Sequence, residues 1–586
     1  MNMELGNLFK NLRKQEHVTQ DRLCQGICSK SMYSRFEKGE RWLGKNKLDR
    51  LFSRLGLDPE KHTNILDRIE FEETEQKRDI IEKILSGRHA EGKNTLESFD
   101  RRFGSTDKLN KQFSSIIHIE LDRLKGFRSE NLNHELWTAL HLTLPGLCKE
   151  NYKNYLFSLE ESHLFVDALS DSKENGDALY GFIIYIMERY KDNTLLAKVC
   201  PKAAVKYLHL LTPDEKKERS KSLIFLFEKA LGILRDADRM FYLSDVLAGL
   251  SELYALEGEI EKADMYQDWI ETLTWVYSLY GLDPFSTTDA VFFIDQRVFC
   301  IDYILAGRRR MNGLSINSLS ANICDSRTLS SMEKAKRKSQ NATVMDVMHG
   351  LGMPETVYLS IMMSEDLIDR SLVKKSYREF NSGNYHEALT TLNNSGISEN
   401  SFDRRKKERM KYLSAFKIGE ISKEALTDKL LALLEESVKF DSITAYSIRY
   451  LTSEELFCLR NLLWHGTDEV SLKVLELMST YLEEASALKD PDLFCTLSMV
   501  LESKQCDQER ADEALCTLNK VARAELLTGR LNHLASIVYD RFWILQQKES
   551  MNHQVPPSVC MICRKLSLLK GSERSADFFR RAEGKR

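Results

Sequence analysis

Apolar residues recur at helical spacing in four short blocks along the first sixty positions. Leu5, Leu8, Phe9 and Leu12 mark one face of a first helix, which ends in Arg13 and Lys14. Thr19 is placed to cap a short second helix, Gln20 to Gln25, whose core residue is Leu23. Gly26-Ile27-Cys28 reads as a turn with Ile27 inward. Ser29 then caps a third helix over Lys30 to Lys38, and Gly39 ends it. Tyr33 and Phe36, three apart, face the core and leave Lys30, Ser31, Met32, Ser34 and Arg35 facing outward. A last helix carries Leu48, Leu51, Phe52 and Leu55 and closes at Gly56.

A short helix, a tight turn and a polar-faced helix form a helix-turn-helix, the geometry that brings a helix N-terminus to the major groove of DNA. Lys30, Ser31 and Met32 are the expected base contacts. Gln20, Ser34, Arg35 and Lys38 are the expected phosphate contacts. Residues 1–62 carry 13 Lys and Arg against 8 Asp and Glu, an excess that supplies sequence-independent attraction to the duplex. The stretch Thr19-Gln20-Asp21-Arg22-Leu23-Cys24-Gln25-Gly26-Ile27-Cys28-Ser29, with Ser34-Arg35-Phe36-Glu37-Lys38-Gly39, resembles the XRE-type domain of the Rgg/PlcR-like regulators. These are peptide-sensing transcription factors of Gram-positive bacteria. The resemblance implies a role in quorum sensing, tetratricopeptide-like repeats after the DNA-binding domain, a short signalling peptide bound in those repeats, and pairing as homodimers on two-fold related half-sites.

A second copy of the motif lies further along. Residues 301–353 align without a gap on residues 5–57, at an offset of 296. Ile304 and Leu305 fall on Leu8 and Phe9, Arg309 on Arg13, Leu319 on Leu23, and Ile323-Cys324 on Ile27-Cys28. Leu329 and Met332 replace Tyr33 and Phe36, while Ser330, Glu333 and Lys334 repeat Ser34, Glu37 and Lys38. The match continues more weakly, with Tyr155-Leu156, Ser158 and Glu160 falling on Tyr450-Leu451, Ser453 and Glu455 at an offset one shorter. The exposed face has diverged: Ile316 replaces Gln20, Ser326 replaces Lys30, Arg327 replaces Ser31 and Ser331 replaces Arg35. Arg327, Ser330 and Lys334 are the expected DNA contacts of this copy. Arg308-Arg309-Arg310 with Lys334, Lys336, Arg337 and Lys338 make it basic. Residues 297–355 carry 9 Lys and Arg against 5 Asp and Glu, and the rest of the chain about −13. Positive charge concentrated on the two motifs favours both lying near DNA.

The remaining sequence is amphipathic helix after amphipathic helix. Leu247 to Tyr254 with Gly258, Ile260 and Ala263, and Tyr377 to Leu392 with Gly383, Tyr385 and Ala388, have the small-residue turns of tetratricopeptide-like helix pairs; Gly529, Leu531 and Leu534 form a weaker third case. The expected fold class is all-α, in two tandem units. The expected domains are a helix-turn-helix over 1–62, repeats over 63–296, a diverged helix-turn-helix over 297–355 and repeats over 356–586. Trp269, Trp275, Trp464 and Trp543 are read as core residues more readily than as lining of a groove.

Composition agrees with a soluble globular chain: 42% hydrophobic, 29% charged, with 27 Gly and 9 Pro in 586 residues. Residues 1–20 lack a secretory core, and no apolar run nears the roughly 18–20 residues of a membrane helix. The expected location is cytoplasmic, with no membrane partner. The 12 cysteines are read as reduced thiols, and Cys560-Met561-Ile562-Cys563 as helix packing, with a metal site the minor alternative because a second ligand pair is missing. The acidic run Glu70 to Glu75 is read as a solvated helix face. Neither a Walker A loop nor a G-x-S-x-G or H-E-x-x-H sequence is present, so no enzyme, metal or cofactor is expected. The reading is a sequence-specific regulator that binds double-stranded DNA as a monomeric pseudo-dimer or homodimer. Its alternative is a helical-repeat scaffold that sequesters a partner and keeps vestigial helix-turn-helix domains.

Overall fold

The computed structural model describes residues 2–59, 62–104, 107–127, 129–286, 288–294, 298–335, 341–353, 358–360, 367–396, 401–548 and 555–583. Lys336, Arg337 and Lys338, part of the expected basic tract, lie outside the described residues.

Among the described residues the fold is all-α apart from three short strands. The first motif comprises α1 (Asn2–Gln15), α2 (Gln20–Cys24), α3 (Lys30–Glu37) and α4 (Lys45–Arg54). Thr19 Oγ1 accepts from Arg22 N at the start of α2, and Ser29 Oγ from Met32 N at the start of α3. Each such cap stabilises its helix by about 1 kcal/mol. Leu5, Leu8, Phe9, Leu23, Ile27, Tyr33, Phe36, Leu48, Leu51 and Phe52 close into one small core. In it the Phe9 ring meets Phe36 edge-on at 5.2 Å and Phe52 at 4.3 Å.

The second motif has the same order: helices Ile301–Met311, Ile316–Ser320, Ser326–Glu333 and Asn341–Gly350. A half-buried ion pair repeats with it. Arg13 holds Glu37 at 2.6 Å and donates to Val18 O at 2.8 Å; Arg309 holds Glu333 at 2.6 Å and donates to Leu314 O at 2.9 Å. All three positions are related by the 296-residue offset. Further along the register shifts. Ser158 and Thr452 are the N-caps of helices Leu159–Ser170 and Ser453–His465, and Glu161 and Glu455 close the two capping boxes. The offset is therefore 294 from the caps onward. This corrects the pairing of Ser158 with Ser453 and of Glu160 with Glu455: the loop before the second cap is one residue shorter.

Helix pairs follow each motif. In the first unit the leading helices Lys108–Leu124, Leu159–Ser170, Asn193–Leu210 and Leu243–Leu256 pack side by side in a row, each backed by a second helix: Leu132–His141, Gly176–Arg189, Ser220–Ala237 and Ile260–Ser278. The small-residue turns sit where two helices meet: Gly258 and Gly383 take φ of +79° and +83°, and Ala263 and Ala388 are buried. Trp269 is buried and Trp275 partly so, but Trp464 is exposed. Glu70 to Glu75 is not a free solvated face, since Glu73 binds Asn46 and Lys77, and Glu75 binds Arg78 and Lys489 of the second unit.

The strands were not expected. β1 (His62–Leu66) runs parallel to β2 (Val298–Cys300) and antiparallel to β3 (Tyr358–Ser360), in the order β2-β1-β3. The antiparallel register pairs His62 with Ser360, Thr63 with Leu359 and Asn64 with Tyr358. At the 296 offset, Thr63 and Leu359 are equivalent positions, and the pairing is symmetric about them. This is the contact a two-fold axis imposes on two copies of one strand. A second such contact joins the repeats. Met240 N donates to Gly529 O and Leu531 N to Asp238 O, around an antiparallel bridge between Arg239 and Arg530. Helices Leu243–Leu256 and Leu534–Lys548 start the same distance beyond that bridge. Gly529 thus serves this cross-unit bridge as well as a turn. The Trp275 ring stacks on Phe542, and Lys565 binds Asp268 at 2.5 Å, so the ends of the two repeat stacks are sealed together.

Candidate nucleic-acid interface

On α3 the outward residues stand as amphipathicity requires. Lys30, Ser31, Arg35 and Lys38 are exposed, Ser34 is partly buried, and Met32 leans back onto the core. Two carry intramolecular partners: Lys30 reaches Asp21 at 2.6 Å and Arg35 reaches Glu40 at 3.6 Å. Such exposed pairs contribute roughly 0–1 kcal/mol and yield readily to a phosphate or a base. Gln20 is placed differently. Its amide donates to Glu37 Oε2 at 2.6 Å, so it completes the Arg13–Glu37 pair from the α2 side. Burial pushes the Glu37 carboxyl up, but Arg13 and Gln20 hold it below its ordinary range.

In the second motif Arg327 and Lys334 are exposed, and Ser330 is partly buried. Asp325 caps the third helix by accepting from Arg327 N at 2.6 Å. Ile316, at the Gln20 position, packs on the motif core, so that corner is apolar. The Arg308-Arg309-Arg310 cluster is largely spent inside the protein. Arg308 is fully buried against Glu455, Arg309 is tied to Glu333, and Arg310 alone of the three is exposed. Burial against carboxylates removes two of the three charges from the surface potential.

The residues that hold the motifs in place carried no signal in the helix-turn-helix pattern. Arg54 is fully buried. It holds Glu161 at 2.6 Å and donates to Leu23 O and Gln25 O, joining α4, the α2–α3 turn and the repeats. Arg50 reaches Gln112 and Ser158, Lys198 reaches Asp58, and Arg22 caps the carbonyls of Lys153 and Asn154. In the second unit the anchor is Arg308 on Glu455, from the first helix of the motif instead of the last. The motifs also meet. Trp42 of the first and Ile65 of β1 pack into the core of the second, and Arg68 lies over Tyr303 at 4.1 Å while it binds Asp302. Only an Arg or Trp at a solvent-facing position of its own motif could have flagged these contacts.

Gly26 is the tightest point of the docking. It takes φ +69°, and a Cβ there would lie 1.8 Å from Thr143 O. Gly26→Ala is expected to lift the first motif off the repeats. The check is limited proteolysis with recovery of a folded fragment near residue 60. An unchanged digestion pattern and unfolding midpoint would contradict this docking.

The second unit holds a cavity of about 770 Å³ between Leu534–Lys548, Pro557–Lys570 and Glu573–Glu583, lined among others by Asn532, Asp540, Lys570, Arg574 and Phe578. Burial pushes the Asp540 carboxyl up to about 7. Cys560 and Cys563 lie one turn apart on the buried face of Pro557–Lys570, as free thiols. No group of metal-ligating side chains occurs among the described residues, and none of their helices is long and apolar enough to cross a membrane.

No family model and no curated protein matches the sequence. Among solved structures, PlcR of Bacillus thuringiensis in complex with the peptide PapR7 and DNA is similar to 49% of this chain over 99% of its own length, at 15% identity and a TM-score of 0.31. A circular tandem repeat protein with a novel repeat topology spans 99% of this chain and 98% of its own, at 11% identity and a TM-score of 0.11.

Proposed function

We propose that this chain is a sequence-specific DNA-binding regulator in which two fused units act as a covalent pseudo-dimer, controlled by a short peptide bound in the helical repeats. The observation that carries the reading is the pairing of β1 with β3, the strands that follow the two motifs in sequence, about equivalent residues. It supplies within one chain the two-fold relation that a homodimer uses to place two recognition helices on half-sites about one helical turn, roughly 34 Å, apart. The exposed polar start of α3 reads bases, with Lys30, Ser31 and Met32 as the readers. The second motif contributes Arg327 and Lys334, chiefly to phosphates. Because the two faces differ, the operator is asymmetric. A peptide that favours one arrangement of the repeats shifts DNA affinity through the buried anchors Arg54–Glu161 and Arg308–Glu455, as a differential-affinity switch requires.

Selection of bound duplexes from a random pool by the purified chain, at fixed salt, tests this. The expected outcome is a bipartite site with unlike halves, bound by one chain. Two equivalent half-sites under a single chain would refute the asymmetry, and absence of any preference among duplexes would leave the scaffold alternative.

A further inference from the structure

Residues 288–294, Thr-Asp-Ala-Val-Phe-Phe-Ile, stand between the first repeat stack and the second motif. They lie across the row of leading helices of the first unit. Thr288 Oγ1 and Asp289 N both donate to Glu120 Oε1, at 2.5 and 2.7 Å, on Lys108–Leu124. Asp289 accepts from Lys202 Nζ at 2.7 Å, on Asn193–Leu210, and from Tyr242 OH at 2.9 Å. Lys202 is buried and shared with Asp167 of Leu159–Ser170 at 2.7 Å. Phe292 is buried, stacks on His163 at 4.3 Å and meets Phe241 edge-on at 5.0 Å. One acid and one aromatic, three residues apart, are thus read by a built cationic and aromatic site spanning four helix pairs. Asp289–Phe293 form a 3-10 helix, which puts the acid and the aromatic on one face, and the repeat stack reads that face as it would a short peptide.

From these contacts we infer that residues 288–294 are a tethered peptide ligand of the first unit, holding its repeat face permanently occupied. The inference rests on the reading that the repeats take a peptide. Its test does not involve DNA, so the two can fail separately.

The probe is a synthetic peptide of sequence Thr-Asp-Ala-Val-Phe-Phe-Ile with blocked ends, titrated calorimetrically into the full chain. The Asp289→Ala, Phe292→Ala double variant is expected to bind one more equivalent than the wild type, and to regain wild-type thermal stability when saturated. Adding Lys202→Met should abolish that extra equivalent. A folded double variant that takes up no additional peptide overturns the inference. Should the double variant not fold, Asp289→Asn alone replaces it: the peptide is expected to raise its melting temperature and leave the wild type unchanged, and no rise overturns the inference equally.

Discussion

Glu455→Gln is expected to destabilise the protein by about 3–5 kcal/mol, the range for removing one partner of a buried ion pair. The carboxylate accepts from both Nη1 and Nη2 of Arg308 at 2.7 Å, and Arg308 is fully buried with its Nε lacking a hydrogen-bond partner. An amide in its place leaves a buried cation uncompensated. Glu161→Gln should cost less, because Arg54 keeps the carbonyls of Leu23 and Gln25 as acceptors at 3.1 and 2.5 Å. Urea unfolding followed by circular dichroism measures both variants. Equal losses would contradict the claim that Arg308 depends on Glu455 alone for neutralisation. Arg308→Met with Glu455→Met should recover only part of the loss: a packed apolar pair needs no charge compensation, but Thr452 N, Ser437 Oγ and Arg405 still lose the Glu455 carboxylate.

The same pair sets an acid limit. Burial by itself would raise the Glu455 carboxyl, but Arg308 outweighs it, with help from Arg405 and Ser437, and holds it at about 2 against an ordinary 4.5. A depressed carboxylate stabilises the folded state fully above its ordinary value, and the contribution is lost as pH falls from 4.5 through 2. The wild type should lose stability across that window, and Glu455→Gln should lose less of it.

Lys30→Ala with Arg35→Ala is expected to weaken binding to the selected duplex by about 1–3 kcal/mol for the base contact at Lys30. The slope of log affinity against log salt should also fall by about one for the phosphate contact at Arg35. Both side chains are exposed, and their partners Asp21 and Glu40 are exposed with them, so the unfolding midpoint should stay put. Fluorescence anisotropy at two salt concentrations, with the midpoint as control, separates a reading residue from a structural one. Unchanged affinity in a fold that survives would remove α3 as the reading helix. Arg327→Ala with Lys334→Ala should cost less, because the second motif has lost the polar corner that Gln20 marks in the first.

The helices of the first motif were legible because their signals are local. Thr19 and Ser29 cap within their own turn, and Tyr33 and Phe36 face inward from their three-residue spacing. The all-α class followed from the same periodicity repeated down the chain. The roles of charged residues were less legible. Arg308 and Arg309 read as surface charge, and the tie of Gln20 to Glu37 carried no signal, because sequence gives a residue's face on its own helix but not what is packed against that face. Glu455 lies 147 residues from Arg308, and nothing local in either segment announces the pair.

Periodicity, caps and a 296-residue self-match thus determined, by themselves, that this protein is built of helices, that it opens on a helix-turn-helix, and that the motif recurs. Tertiary structure alone decided how the two copies face each other, which arginines anchor them, and that residues 288–294 lie across the first repeat face. The physical reason is range. Capping and amphipathicity act within one or two helical turns, whereas strand register, buried charge pairing and groove occupancy depend on which distant surfaces come together once the chain has closed.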